Sequence, residues 1–157
     1  MSLILSVFIA TSLDGFIARE DGSLDWLDTA KATVPEGEDC GYASFINSVD
    51  VLVMRRNSFE KVLSFDQWPY ENKSVIVLSD HVLEIQANLR KTVEHSSESP
   101  EEIYEKLSKK GLSRLYIGSV ITIQRFLAAG LINDLTITVI PVIIDKGKSL
   151  FGCLEKD

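Results

Sequence analysis

The stretch LYIGSVITIQRFLAAGLINDLTITVIPVII, from Leu115 to Ile144, predicts a strand, a turn, a helix and a second strand in succession. It begins with a short apolar run that stops at Gly118. Residues spaced for one buried helical face follow, namely Ile123, Phe126, Leu127 and Leu131. The spacing therefore predicts a helix that packs on a sheet.

The second half of this stretch predicts how the helix ends and where the chain goes next. Gly130 can adopt the left-handed conformation that closes a helix, and the extended segment Leu135–Ile140 follows it. A strand that enters a helix through glycine presents free backbone N–H groups, and α/β proteins commonly hold phosphate there. The alternative is a plain structural crossover, because a single Gly118 is a weak motif.

Bulk composition limits the class of protein. The 157 residues are the length of one domain, and 45% hydrophobic residues can supply a core. A net charge of −7 argues against a nucleic-acid or anionic-membrane partner. The N-terminus has no signal-peptide pattern and no apolar run reaches a membrane span, so we expect a cytoplasmic protein. Cys40 and Cys153 are isolated, which predicts free thiols and no metal site.

The N-terminal segment predicts a buried central strand over Ser2–Ala10. Phe16–Pro35 mixes glycine, aspartate and apolar residues without a clear period, so we expect a long ordered loop over a site. Trp26 lies in this segment, either as a functional residue or as an anchor of the loop to the core. Asp14 follows the first strand, where it can either reach a cleft or form a turn beside Gly15.

The middle of the chain alternates short helical and extended patterns. Ser99 and Glu102 form a capping box with proline at the first helical position. The predicted elements are a helix in Asp39–Ser48, strand Val51–Met54, helix Phe59–Leu63, strand Ser74–Leu78, edge strand Lys91–Glu94 and helix Pro100–Lys110. This alternation predicts one domain over residues 1–157, an α/β fold with three α/β/α layers and a mostly parallel, mixed sheet.

Four segments in fixed order resemble the dihydrofolate reductase-like family. Its most similar branch is the C-terminal reductase domain of bacterial riboflavin biosynthesis. The segments are Ser12–Ala18 (SLDGFIA), Val53–Glu60 (VMRRNSFE), Val77–Ser79 (VLS), and Leu131–Leu135 (LINDL) with Ile140–Val142 (IPV). The resemblance implies a dihydrofolate reductase-like fold and an NADPH-binding reductase.

The resemblance also implies which residues contact the cofactor. Arg56 matches an arginine that faces the adenosine 2′-phosphate, and Ser58 matches a hydroxyl at the pyrophosphate; both chemistries suit phosphate. The other implied cofactor residues are Ala10, Ser12, Ile17, Leu78, Ser79, Gly118, Ser119 and Val120. Asp14 and Trp26 are the implied catalytic residues, with Trp26 in a mobile loop over the nicotinamide.

The chain departs from the family pattern at three places. Arg55 stands where the family pattern has a glycine before its arginine, which Arg56 matches here. Ser119 and Val120 stand where the family has paired glycines. Family members also continue past Leu150–Gly152 into a final strand or hairpin, whereas this sequence stops at Asp157. Because an uncovered sheet edge promotes association, we expect a homodimer.

Two functions follow as hypotheses. The first is an NADPH-dependent reductase of a small pyrimidine- or pterin-like heterocycle, resembling 5-amino-6-(5-phosphoribosylamino)uracil reductase. The second is a non-catalytic dimeric binding protein in which Arg55, Ser119 and Val120 impair cofactor binding.

Overall fold

A parallel sheet is the centre of the computed structural model, which describes residues 2–32 and 34–151. The strands of the protein are β1 (Ile4–Ser12), β2 (Phe16–Ala18), β3 (Val51–Arg55), β4 (Ser74–Leu78), β5 (Val93–Ser96), β6 (Arg114–Ile117), β7 (Asp134–Ile140) and β8 (Lys148–Ser149). Six of them form the central sheet in the order β5-β4-β3-β6-β1-β7, and every pair of neighbours in it is parallel. Strands β2 and β8 form a separate antiparallel pair.

Five α-helices connect or flank these strands in the part of the chain that the structure describes. They are α1 (Asp25–Lys31), α2 (Tyr42–Asn47), α3 (Arg56–Leu63), α4 (Pro100–Lys109) and α5 (Val120–Ala128), and a short 3-10 helix spans Ala87–Leu89. Helix α4 begins with the predicted capping box, in which Ser99 Oγ accepts from Glu102 N. This satisfies backbone groups that the start of a helix leaves unpaired.

Side chains alternate between two cores on opposite faces of the sheet. Val51 and Val53 pack with α4 and α5, whereas Leu52 and Met54 pack with Phe59 of α3. Successive side chains of a strand point to opposite faces, so a strand buried on both faces is apolar throughout. The predicted three-layer α/β/α fold is thereby confirmed, and within residues 2–32 and 34–151 antiparallel pairing is confined to the β2–β8 pair.

The stretch from Leu115 to Ile144 forms the predicted βαβ unit. Strands β6 and β7 lie on the two sides of β1, and α5 crosses between them. Gly130 has φ +70°, the left-handed conformation expected after the helix. Asn133 Oδ1 then accepts from Leu5 N at 2.9 Å, which fixes the start of β7 beside β1.

The structure corrects the prediction of a loop over Phe16–Pro35. This segment contains β2 and α1, and Trp26 lies on α1 with only 3% of its surface exposed. Trp26 packs near Ala30 and Ile140, so α1 is held by tertiary contacts. A helix of seven residues gives too few turns for a clear period, and isolated helices of that length are marginal.

Several other boundaries differ from prediction, and α3 begins three residues earlier than expected, at Arg56 rather than Phe59. The edge strand predicted over Lys91–Glu94 is β5, shifted to Val93–Ser96. The turn predicted after Pro141 also contains β8, which pairs with β2. Cys40 is exposed and free as predicted, while Cys153 and the end of the chain after Phe151 lie outside the described residues. No helix in the described ranges is both long and apolar enough to cross a membrane.

Candidate active site

The first part of the site is a pair of serines where β3 and β6 end. Ser119 Oγ donates to Ser58 Oγ at 2.6 Å and accepts from Arg55 N at 3.1 Å. Gly118 N donates to Val53 O at 2.8 Å, which brings the start of α5 against β3. These bonds join the amino ends of α3 and α5 into one surface, because the carboxyl ends of parallel strands meet at the same edge of a sheet.

This surface borders a cleft of about 160 Å³, which we call the serine cleft. Its lining residues are Leu52, Val53, Met54, Ser58, Val62, Tyr70, Tyr116, Gly118 and Ser119. No side chain caps the N-terminus of α3 or of α5. Free N–H groups at a helix start and two hydroxyls form a suitable anion site. Burial raises the pKa of Tyr70 to about 12, so this phenol is neutral at ordinary pH.

The second part is a small cleft of about 30 Å³ beyond the ends of β3 and β4, the arginine cleft. Its lining residues are Arg55, Leu78, Ser79, Asp80, Ser97, Glu98, Pro100, Thr122, Arg125 and Phe126. Thr122 is 1% exposed, and its Oγ1 has no hydrogen-bond partner in the structure. A buried hydroxyl beside two guanidinium groups is suited to an anion that carries oxygen acceptors.

One of the two acidic residues of the arginine cleft, Glu98, is partly neutralised. Glu98 Oε1 accepts from Lys106 Nζ at 3.0 Å and from Ser96 Oγ at 2.9 Å. The Lys106 hydrogen bond, followed by that of Ser96, lowers the pKa of Glu98. Ser79 Oγ accepts from His81 N at 3.2 Å, so its hydroxyl hydrogen is available to a ligand.

The third part is a cleft of about 530 Å³ on the α2 face of the sheet, the aromatic cleft. Its lining residues are Phe8, Ile9, Ala10, Lys31, Val34, Pro35, Glu36, Gly37, Glu38, Asp39, Cys40, Tyr42, Tyr116, Thr138 and Ile140. Phe8, Ile9 and Ala10 are only partly buried although β1 is a central strand. The interruption of burial in the middle of β1 marks where the cleft opens onto the sheet.

Tyr116 lines both the serine cleft and the aromatic cleft. Its hydroxyl donates to Phe8 O at 3.0 Å, and its ring centroid lies 4.9 Å from that of Phe45. Burial raises the pKa of Tyr116, so its phenol remains a hydrogen-bond donor. The two clefts therefore share Tyr116 as part of their walls.

The model of the RibD C-terminal domain matches residues 4–156. The chain belongs to the RibD C-terminal domain family. This confirms the riboflavin-reductase branch of the resemblance inferred from the sequence.

Two Bacillus subtilis (strain 168) proteins are relatives of this RibD C-terminal domain. YwjB is 35% identical in an alignment of 155 positions that covers 96% of this chain and 84% of YwjB. YyaP is 24% identical in an alignment of 152 positions that covers 91% of this chain and 77% of YyaP. Both are described as uncharacterized proteins.

Solved structures share the fold. A candidate riboflavin biosynthesis protein from Shewanella sp. PV-4 has a TM-score of 0.89 and 41% identity over 99% of this chain and 86% of its own. A Thermotoga maritima diaminohydroxyphosphoribosylaminopyrimidine deaminase/5-amino-6-(5-phosphoribosylamino)uracil reductase has a TM-score of 0.68, 19% identity and coverage of 99% and 50%. Enterococcus faecalis dihydrofolate reductase complexed with NADP(H) has a TM-score of 0.59, 20% identity and coverage of 97% and 79%. The last two establish the fold alone, which is dihydrofolate reductase-like.

Six residues predicted for the site of this RibD C-terminal domain line its clefts. The serine cleft is lined by Ser58, Gly118 and Ser119. The arginine cleft is lined by Leu78 and Ser79, and the aromatic cleft by Ala10.

Arg56 and Val120 lie beside the clefts and line none of the three. Arg56 is exposed, and its Nε donates to Glu60 Oε1 at 2.8 Å. Val120 packs on the core at the α4 and α5 side of the sheet. Its branched side chain therefore does not enter the serine cleft, and Arg55 rather than Arg56 lines the arginine cleft.

Asp14 and Ser12 hold loops together. Ser12 Oγ donates to Asp14 Oδ1 at 2.6 Å and accepts from Phe16 N at 3.0 Å. Asp14 Oδ2 accepts from Asp145 N at 2.8 Å. The Ser12 hydroxyl is the largest cause that lowers the pKa of Asp14, and N–H donors of Asp145 and Ile144 add to it. The carboxylate therefore closes the turn after β1, and its catalytic role remains a prediction.

Ile17 and Trp26 are buried in cores and line none of the three clefts. The Trp26 indole Nε1 has no hydrogen-bond partner in the structure. Its catalytic role likewise remains a prediction.

Sequence reasoning missed Arg125, Thr122 and the aromatic residues Phe8, Tyr42 and Tyr116. Arg125 and Thr122 lie within the helical pattern of α5, where they look like ordinary helix residues. A signal was present in Thr122, because a polar residue on a buried helix face needs a partner. The aromatic residues come from three separate elements and carry no common motif.

Proposed function

We propose that this protein is a cytoplasmic, NADPH-dependent reductase that transfers a hydride to a small planar heterocycle. The observation that supports it most directly is the shared wall at Tyr116 between the serine and aromatic clefts. A dinucleotide whose phosphates bind at the serines can bring its nicotinamide to a ring in the aromatic cleft. The family of the chain favours the same chemistry.

The residues present fit the phosphates of such a cofactor. Ser58 and Ser119 offer hydroxyls, and the first turns of α3 and α5 offer backbone N–H groups without side-chain caps. Helix starts attract anions through these groups and through the helix dipole. In this proposal Ser119 orients Ser58 through their 2.6 Å hydrogen bond.

The arginine cleft fits the phosphate on the adenosine ribose. Arg55, Arg125 and the unpartnered Thr122 Oγ1 can donate to its oxygens. Arg56 can contact the same phosphate only if its ion pair with Glu60 breaks. An exposed ion pair of this kind contributes a few tenths of a kcal/mol to stability. We therefore assign the main recognition of this phosphate to Arg55 and Arg125.

NADPH supplies the hydride, and the chain supplies binding and orientation. Phe8, Ala10 and Tyr116 form the wall against which the reacting rings are held. Because Tyr116 O–H is used on Phe8 O, the wall offers ring faces rather than polar groups. Asp14 and Trp26 act in this proposal by supporting the loops next to the cleft.

The test is a titration of the purified protein with NADPH and with NADH, followed by quenching of Trp26 and Trp68 fluorescence. We expect saturable, micromolar binding of NADPH and weaker binding of NADH. Arg55→Ala with Arg125→Ala should weaken NADPH binding about tenfold or more, since each hydrogen bond to a charged group is worth about 1.5–3 kcal/mol. NADH binding should change little.

Lys109→Ala is the matched control, because it removes an exposed cation near the other end of α4. It should leave both affinities unchanged. Absence of NADPH binding at millimolar cofactor would refute the reductase and favour a binding protein without a dinucleotide. Equal losses for NADPH and NADH in the arginine variant would refute the assignment of Arg55 and Arg125.

A further inference from the structure

The charge around the aromatic cleft is predominantly negative. Glu36, Glu38 and Asp39 line it, and Lys31 is the only cation among its lining residues. Lys31 Nζ lies 3.1 Å from Asp28 Oδ1 in an exposed ion pair. No arginine is among the described residues that line the cleft. A phosphate placed here would face three carboxylates and a single cation that already has a carboxylate partner.

Asp39 also removes the nearest backbone donors. Its Oδ1 accepts from Gly41 N at 2.9 Å and its Oδ2 accepts from Ala43 N at 2.9 Å. These two N–H groups lie at the start of α2, and an anion would otherwise compete for them. The hydrogen bonds of Ala43 and Gly41 lower the pKa of Asp39, so the carboxylate is ionised at neutral pH.

The inner wall of the cleft is suited to a flat ring. The Phe8 and Tyr42 ring centroids are 5.7 Å apart with an interplanar angle of 63°, and Phe45 stacks behind Phe8 at 4.8 Å. Tyr116 completes this wall. Aromatic side chains at such spacings favour offset or edge-to-face contacts with another ring. The cleft thus combines aromatic contacts at its wall with negative charge at its rim.

We propose that the aromatic cleft takes a planar heterocycle without a phosphate group, neutral or cationic, and rejects the phosphorylated form of the same compound. The proposal rests on the proposed function, in that it takes this cleft as the substrate end. It also separates the chain from the Thermotoga maritima reductase, whose named reaction involves a phosphoribosyl compound. The preference arises because phosphate carries up to two negative charges at neutral pH.

The experiment measures binding of two matched pairs, uridine with uridine 5′-monophosphate and riboflavin with flavin mononucleotide. Calorimetry is performed on the full chain with saturating NADP⁺, so that the nucleotides cannot occupy the cofactor phosphate sites. We expect at least one unphosphorylated member to bind at least tenfold more tightly than its phosphorylated partner. The difference in affinity between the two members of a pair should become smaller as the salt concentration is raised from about 0.05 M to about 0.5 M, because salt screens exposed charges.

Glu36→Gln with Glu38→Gln tests the origin of the preference. Cys40 N donates to Glu38 Oε1 at 2.7 Å, and the side-chain oxygen of a glutamine at position 38 can accept the same hydrogen bond. Affinity for the phosphorylated members should rise several-fold, while affinity for the unphosphorylated members stays the same. Glu101→Gln with Glu105→Gln is the control, because it makes the same charge change on exposed positions of α4.

Equal or tighter binding of the phosphorylated members would overturn the proposal, and so would no binding of any of the four compounds. These failures are distinct from failure of the proposed function, which the NADPH titration reports. If the protein binds NADPH but does not prefer the unphosphorylated compounds, only the proposed substrate class is refuted. If it prefers the unphosphorylated compounds but does not bind NADPH, only the proposed reductase function is refuted.

Discussion

Ser119 shows at the scale of one residue how the chain accommodates a side chain at a positive φ, a backbone region that favours glycine. Its backbone lies at φ 71° and ψ 136°, a region that side chains rarely adopt. The hydroxyl compensates by bonding Ser58 Oγ and Arg55 N. The Ser119 side chain therefore secures the strand-to-helix connection and orients the Ser58 hydroxyl at the serine cleft.

Ser119→Ala should be less stable than Ser119→Gly. Both variants lose two hydroxyl hydrogen bonds, each worth about 1 kcal/mol. Alanine keeps the backbone strain of about 1–3 kcal/mol, whereas glycine relieves it at an entropy cost of about 1 kcal/mol. Urea unfolding should thus give the alanine variant a free energy of unfolding about 1 kcal/mol below that of the glycine variant. Equal stability of the two variants would mean that the backbone is relaxed.

Asp14→Asn should lower stability at neutral pH, and the loss should disappear in acid. The folded protein lowers the pKa of Asp14, chiefly through Ser12. A lowered pKa in the folded state stabilises the fold at pH values above the unfolded-state pKa of about 3.9. That stabilisation is lost as the pH falls through the folded-state pKa. Melting temperatures of the two proteins should therefore converge below about pH 4.

Asp28→Asn is the control for this series, because Asp28 forms only an exposed ion pair with Lys31. It should change the melting temperature little at any pH. If Asp14→Asn abolishes reductase activity without changing stability, the catalytic role predicted for Asp14 gains support over the structural one. A constant difference in melting temperature across the acid range would contradict the pKa argument.

At the scale of elements, the β2–β8 pair depends on glycine. Gly147 precedes β8, has φ +158° and lies so close to Ala18 O that a Cβ would overlap this carbonyl oxygen. Leu150 N also donates to Gly15 O, which continues the contact. This ribbon joins the turn after β1 to the segment after β7.

Gly147→Ala should destabilise the protein by about 1–3 kcal/mol, because backbone atoms of β2 would have to move. Gly111→Ala is the matched control: Gly111 has φ +73° and no atom within 4 Å of an added Cβ. It should cost about 1–2 kcal/mol for the left-handed backbone alone. Chemical unfolding of both variants measures the difference, and hydrogen exchange should show faster opening of β8 only for Gly147→Ala. Equal costs and exchange rates would refute the clash.

At the scale of the whole molecule, β7 is an edge of the six-stranded sheet. Leu135 is 38% exposed and Val139 is 55% exposed on this strand. Exposed apolar residues on an edge strand favour pairing with another chain. We propose that the expected homodimer forms along β7.

Val139→Lys should shift a dimer toward monomer by at least tenfold in dissociation constant, because it adds a charge to an apolar contact. Light scattering after size-exclusion chromatography measures the change. Val82→Lys is the control, since Val82 is 93% exposed outside the helices and strands. A monomeric wild-type protein, or a dimer that Val139→Lys leaves intact, would refute this interface.

The sequence by itself determined the order of most elements and the layered α/β fold. Local patterns were sufficient for the βαβ unit around α5 and for the capping box of α4, because periodicity and capping act over a few residues. The resemblance to the reductase family, rather than these patterns, implied Ser58 and Ser119 as site residues, and both line the serine cleft. The local patterns did not reveal α1, whose helix depends on packing of Trp26 near Ile140.

Only the tertiary structure decided which residues form the clefts. Arg55 and Arg125 are far apart in sequence and meet because β3 and β6 are neighbours in the sheet. Phe8 and Tyr116 form one wall for the same kind of reason, since β1 lies on the other side of β6. Strand order brings distant residues together through long-range pairing, and no local pattern in the chain specifies that order.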